Sequence, residues 1–211
     1  MPVSIEPISE RILSELVDVH FEAFKGYMNA SIGRDYVRRF LSWFAHREGG
    51  IALAAVADGR VVGYVVGAPV GYDRVINHDM FWVVARSIAL RPRLLFQKRF
   101  LRRLLQRARQ LLSQDGMPRA AVPDLPEPVM SLVGIAVSES GRGKGVGRAL
   151  MNEFESRCRH ARAKAMRLSV YATNAAARTL YEHAGWTLFV PDGSAEAVYY
   201  HRVLEQEDSP P

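Results

Sequence analysis

The tightest constraint on this chain is one glycine-rich stretch, Ser138-Glu139-Ser140-Gly141-Arg142-Gly143-Lys144-Gly145-Val146-Gly147-Arg148-Ala149-Leu150. An apolar run over 130–137 precedes it and suits a strand. Val146, Leu150, Phe154 and Cys158 follow at intervals of four, which is one face of a helix. The glycines therefore sit on a strand-to-helix turn. They alternate at 143, 145 and 147, and cations stand at 142, 144 and 148. Glycine permits positive φ and a close backbone approach to a ligand. The first turn of a helix offers unpaired N–H groups at the positive end of its dipole. Together these read as a pyrophosphate cradle, against the plainer reading of a turn with solvated cations.

Two nucleotide loops do not fit. A Walker loop requires Ser138 to be glycine and Gly145 to be a hydroxyl residue. A dinucleotide fingerprint started from Gly141 or Gly143 meets Val146 or Arg148 where its last glycine belongs. The pattern that does fit is R-x-x-G-x-G, as Arg142, Gly145 and Gly147. A second pattern lies downstream: Asn174-x-x-Ala177-x-x-Leu180-Tyr181-x-x-x-Gly185-Trp186. With both in this order, the chain resembles the GNAT superfamily of N-acetyltransferases. The resemblance covers 3–70 by order of elements and 129–204 by motif, and leaves 72–125 unexplained.

The element order supports that comparison. A strand is expected over 3–8, then helices over 10–24, with Ser9 as N-cap, and over 34–47. Strands over 51–57 and 60–67 flank Asp58-Gly59, a type I′ hairpin signal. A helix is expected over 81–90. A basic amphipathic helix over 93–113 follows, with Lys98, Arg99, Arg102, Arg103, Arg107 and Arg109 on one face. Gly134 inside the strand before the loop marks a bulge or close approach. Beyond the loop come a helix over 146–161, a strand over 166–171, a helix over 174–184 capped by Asn174, and strands over 186–190 and 198–204. The expected fold is α/β (α+β): a mixed, mostly antiparallel sheet flanked by helices. It forms one domain over 1–205, with a helical insertion at 72–125 and a disordered tail at 206–211.

Charge is concentrated in that insertion. The chain has 28 basic and 22 acidic residues, and nine of the basic ones fall between Met80 and Gln114, where no acid occurs. Elsewhere acids outnumber bases, which argues against a protein coated uniformly for nucleic acid, and no specific nucleic-acid partner is expected. No apolar run is long enough to span a bilayer, residues 1–10 lack a signal pattern, and the lone Cys158 excludes an intrachain disulfide. A cytoplasmic protein is the expectation.

The resemblance implies transfer of an acetyl group from acetyl-CoA to an amine by direct attack, with both substrates bound. The cofactor site it implies is the main chain of Ile135, Ala136 and Val137 along the pantetheine arm, the loop residues Arg142, Gly143, Lys144, Gly145, Val146, Gly147 and Arg148 on the pyrophosphate, and Asn174 further along. It implies an oxyanion donor in the N–H near Ile135 and a general acid in Tyr181. No metal is expected. The run 130–137 holds no acid or histidine, so the general base stays open among Asp73, His78 and Asp79. Acceptor contacts are expected from Tyr27 and Asn29 in the loop 26–33 and from Tyr72, Asp73 and His78. The basic insertion suits an anionic acceptor such as a charged amino sugar, and 93–113 also suits peripheral contact with an anionic membrane. The oligomeric state is open, a homodimer included. Two other classes remain: a coenzyme A-binding regulatory module without turnover, and a nucleic-acid or membrane-surface binder acting through the insertion.

Overall fold

The computed structural model describes residues 2–25, 32–89, 124–189 and 197–205. The expected basic helix over 93–113 lies outside these residues, as do Tyr27, Asn29 and the tail 206–211. Seven strands form one sheet in the order β1-β2-β3-β4-β5-β7-β6. They are β1 (Val3–Pro7), β2 (Ile51–Ala57), β3 (Arg60–Pro69), β4 (Val129–Val137), β5 (Ala165–Tyr171), β6 (Thr187–Phe189) and β7 (Ala197–Val203). Every pairing is antiparallel except β4 with β5. The helices are α1 (Leu13–Ala23), α2 (Arg34–His46), α3 (Tyr72–Ala89), α4 (Val146–His160) and α5 (Ala175–His183).

The sheet separates two apolar cores. One gathers α1, α2 and α3 over Ala54, Tyr64, Val66, Ala68 and Ala136. The other gathers α4 and α5 over Leu53, Val65, Leu132, Met166, Leu168 and Tyr200. Alternation along each strand produces both, because neighbouring side chains point to opposite faces. The hairpin turns as expected: Asp58 and Gly59 both take positive φ, 49° and 72°, and Ala57 pairs Arg60. On α4 the four-spaced stripe is fully buried, and Cys158 is 0% exposed. Burial pushes its thiol up to about 12, so it is a core residue rather than a nucleophile.

Two helix starts differ from expectation. Ser9 does not cap: a 3-10 turn over Glu10–Ile12 comes first, and no side chain caps either helix start. The helix expected from 81 begins at Tyr72, directly after Gly71 (φ 93°). It buries Ile76 and Met80 while Phe81 and Trp82 are exposed, so apolar residues lie on more than one face and the sequence shows little periodicity. Tyr72, Asp73, His78 and Asp79 are thus helical residues.

Candidate active site

The β4–β5 ladder is short. Val129↔Ala165, Met130↔Met166 and Ser131↔Arg167 pair, and there the parallel pairing stops. β4 continues alone beside β3 as far as Gly63↔Val137. One edge of 132–137 therefore faces a gap. Which groups face it follows from the ladder pattern. Ser138 donates its N–H to Val62 O at 2.9 Å. Hydrogen-bonded pairs alternate along an antiparallel ladder, so Tyr64↔Ala136 and Val66↔Gly134 are of the same kind. Ile135 and Val137 direct N–H and C=O into the gap. The expectation for Ala136 needs correction, because its main-chain groups turn toward β3 and are used in the sheet. Between Gly134, opposite Val66, and Leu132, opposite Gly67, Val133 has no partner in the ladder. This is the bulge that Gly134 signalled, and it bends β4 where the gap opens.

At the far end of β4 the glycine loop delivers α4. Gly143 and Gly145 take positive φ, 71° and 78°, and beyond their chain neighbours no atom lies within 4 Å of where a Cβ would stand on either. Gly145 occupies the N-cap position. The first helical bond runs from Ala149 N–H to Gly145 O, so the N–H groups of Val146, Gly147 and Arg148 precede the helical ladder. Gly147 has a packing role as well: Leu180 Cδ2 of α5 lies 3.4 Å from its missing Cβ. Arg142, Lys144 and Arg148 are exposed around this turn. The N–H of Arg142 bonds Ser138 O and Glu139 O, which leaves Arg142 only its side chain for a ligand. These donors, one open strand edge and a helix N-terminus suit an extended molecule ending in a pyrophosphate.

α5 forms the other lip. Asn174 Oδ1 accepts from Ala177 N–H at 3.2 Å, the expected cap. Asn174→Ala should cost about 1 kcal/mol in urea unfolding, whereas Asn174→Asp keeps the cap. If Asn174 also touches the donor's arm, the Asp variant should bind acetyl-CoA more weakly by calorimetry. Equal affinity would confine Asn174 to capping. Tyr181 is 4% exposed and packs between Trp186 and Tyr200, with ring centroids at 6.1 Å and 5.6 Å. Ile135 and Val137 pack against the same cluster. Burial, with Tyr200 adding to it, raises the Tyr181 phenol above its usual pKa. Tyr200 donates to Glu182 Oε1 at 2.6 Å.

The proposed acceptor residues divide. Tyr72 and Asp73 open α3, and the Tyr72 ring lies 6.1 Å from Phe44. His78 does not join them: its side chain is 90% exposed and pairs with Asp79, which accepts from Trp43 Nε1 at 2.9 Å. Two groups were missed by sequence reasoning. Arg167 stands at the last β4–β5 pair, with Nε donating to Ser131 Oγ at 3.2 Å. His20, placed by periodicity on the apolar stripe of α1, is buried with Nδ1 2.5 Å from Tyr64 Oη. Its Nε2 has no hydrogen-bond partner among the described residues. Only Tyr64, brought across from β3 by the fold, distinguishes this histidine from an apolar residue, and no local pattern carries that.

Burial lowers the His20 pKa from 6.5 to about 4. Between those values the unfolded chain binds the proton and the folded chain does not. The stabilisation is complete above pH 6.5 and is lost as pH falls through about 4, to a total of about 3 kcal/mol. Urea midpoints measured from pH 7 to pH 4 should fall less steeply for His20→Gln than for wild type.

A sequence model described as the Acetyltransferase (GNAT) family matches residues 14–186. No curated protein sequence matches the chain. Among solved structures, the PaiA N-acetyltransferase from Thermoplasma acidophilum in complex with coenzyme A is similar at a TM-score of 0.61 and 14% identity, over 97% of this chain and 100% of that one. Ard1 from Thermoplasma volcanium gives 0.60 and 17%, over 97% and 99%. The ribosomal-protein-S18-alanine N-acetyltransferase from Escherichia coli gives 0.57 and 14%, over 99% of both chains. At these identities the structures establish the fold, and the family match over most of the length establishes more: the chain belongs to the GNAT family and is an acetyl-CoA-dependent acyltransferase.

Proposed function

We propose that this enzyme transfers the acetyl group of acetyl-CoA to a primary amine of a small molecule, by direct attack with both substrates bound. The observation that carries this is the open edge of β4, which ends at a helix N-terminus and shares a side-chain cluster with Tyr181. Acetyl-CoA supplies an activated thioester. The protein's groups then have separate tasks. The N–H groups after Gly143 and the cations beside them hold the pyrophosphate. Val137 pairs with the arm as a neighbouring strand would. Ile135 N–H donates to the thioester oxygen as negative charge grows there. Tyr181 gives its proton to the departing sulfur as the C–S bond breaks, and the proton released by the amine nitrogen, passed through solvent, restores the phenol.

The nine basic residues between Met80 and Gln114 favour an anionic acceptor, with charged amino sugars the leading class. We assign residues 1–205 to one catalytic domain, in which the segment after β3 reads the acceptor and its basic part, 93–113, also meets an anionic membrane surface. We place the reaction in the cytoplasm, where a single buried cysteine stays reduced. A thiol-release screen over amino sugars, polyamines, amino acids, aminoglycosides and peptide amines tests the reading. Turnover of an amino sugar is the expected result. Acetyl-CoA binding without turnover of any amine would make the chain a binding module instead.

A further inference from the structure

The sheet face that carries α1, α2 and α3 turns polar at β5. One transverse row makes the change, with Ala68, Ser131, Arg167 and His201 placed side by side across β3, β4, β5 and β7 by register. Ser131 and Arg167 close the ladder just before the gap opens. Ser131 is 5% exposed, and Arg167 is half-buried. Met166 and Leu168 belong to the opposite core, so Arg167 points to the α3 side. Its Nε is occupied by Ser131 Oγ. Among the described residues no carboxylate forms an ion pair with it. Asp73 and Tyr72 at the start of α3, and Tyr199 of β7, are its electrostatic neighbours. Beside it, His201 Nδ1 is buried without a hydrogen-bond partner among the described residues. Desolvation draws the Arg167 pKa down although Asp73, Tyr72 and Tyr199 favour its charge, so the half-buried guanidinium still gains from a further anion. The Ser131 bond directs the fork while leaving its terminal N–H groups for a planar or tetrahedral oxyanion.

We propose that Arg167 anchors an oxyanion, carboxylate or phosphate, on the acceptor molecule. This rests on the reading of the chain as an amine acetyltransferase. It also selects acceptors by length. Ala68 and Val65, the β3 partners of Ser131 and Ile135, stand three residues apart, so these two positions lie about 10 Å apart along the sheet. The acceptor therefore carries its amine and its oxyanion at opposite ends rather than on one carbon.

Two acceptor pairs that differ in the oxyanion test this: L-lysine against cadaverine, and glucosamine 6-phosphate against glucosamine. In wild type the charged member of at least one pair should be favoured about 30-fold in kcat/KM, mainly through KM. The pair that shows the preference distinguishes carboxylate from phosphate. Arg167→Gln should bring the charged member to the level of its uncharged partner, while Arg167→Lys keeps part of the preference. Equal losses on both members, or an unchanged preference, would overturn the proposal and leave Arg167 as a tie between β4 and β5. The full chain saturated with coenzyme A is also titrated with inorganic phosphate and with acetate by calorimetry. If wild type acetylates none of the four amines, the acetyltransferase reading fails for these acceptors. Oxyanion binding that Arg167→Gln abolishes still upholds the anchor in that case, and its absence overturns it.

Discussion

Tyr181→Phe should lower kcat about 100-fold and leave the KM for acetyl-CoA within about twofold of wild type. Phenylalanine fills the same space between Trp186 and Tyr200, so the packing of α5 is kept. Only the hydroxyl is lost. Because burial raises its pKa, that hydroxyl is protonated at every pH near neutral and can serve only as a proton donor. A sulfur leaving as thiolate gains from such a donor. Steady-state kinetics with a thiol readout provide the check, and a melting temperature within about 2 °C of wild type would show the core to be undisturbed. An unchanged kcat would remove Tyr181 from the chemistry.

Gly67→Ala should destabilise the fold by about 3 kcal/mol and weaken acetyl-CoA binding with it. A Cβ there would stand 2.5 Å and 2.6 Å from two ring atoms of Phe154 and 2.6 Å from Ser131 O. Phe154 is fully buried at the middle of α4, and Ser131 O belongs to the backbone of β4. Neither side of the contact is a flexible side-chain end. The methyl therefore pushes α4 away from the sheet, and α4 carries the anion cradle at its N-terminus. Gly63 repeats the arrangement one turn earlier, with Leu150 and Val146 at 3.1 Å and 3.2 Å. Thermal unfolding should shift by about 10 °C for a chain of this size. A shift under about 2 °C would mean that the helix reseats freely on β3.

The features that were legible in the sequence are local. Asp58-Gly59 sets its own turn, Asn174 caps the helix it begins, and Gly143 and Gly145 need positive φ whatever surrounds them. The open edge of β4 is a different matter. A pattern of alternating apolar residues marks 130–137 as a strand, but it does not say which main-chain groups a neighbouring strand will use. Ile135, Ala136 and Val137 are equivalent on that pattern, and the ladder phase separates Ala136 from the other two. Arg167 illustrates the same limit for side chains. Period two puts it opposite Met166 and Leu168, and a charged residue there reads as solvent-facing. Only the sheet order brings Ser131 beside it and the start of α3 over it. The early start of α3 was hidden because Phe81 and Trp82 break the stripe that Ile76 and Met80 begin.

The brevity of the β4–β5 ladder has a mechanical consequence. Four strands on one side and three on the other form two plates, held by antiparallel pairings of five to seven residue pairs except at the outer β6–β7 edge, and the parallel seam between them is three residue pairs long. Opening or closing that seam by a small angle disturbs few backbone bonds. The width of the slot is therefore a soft dimension of the sheet. It can follow the thickness of what it grips, while the spacing of groups within each plate stays constant.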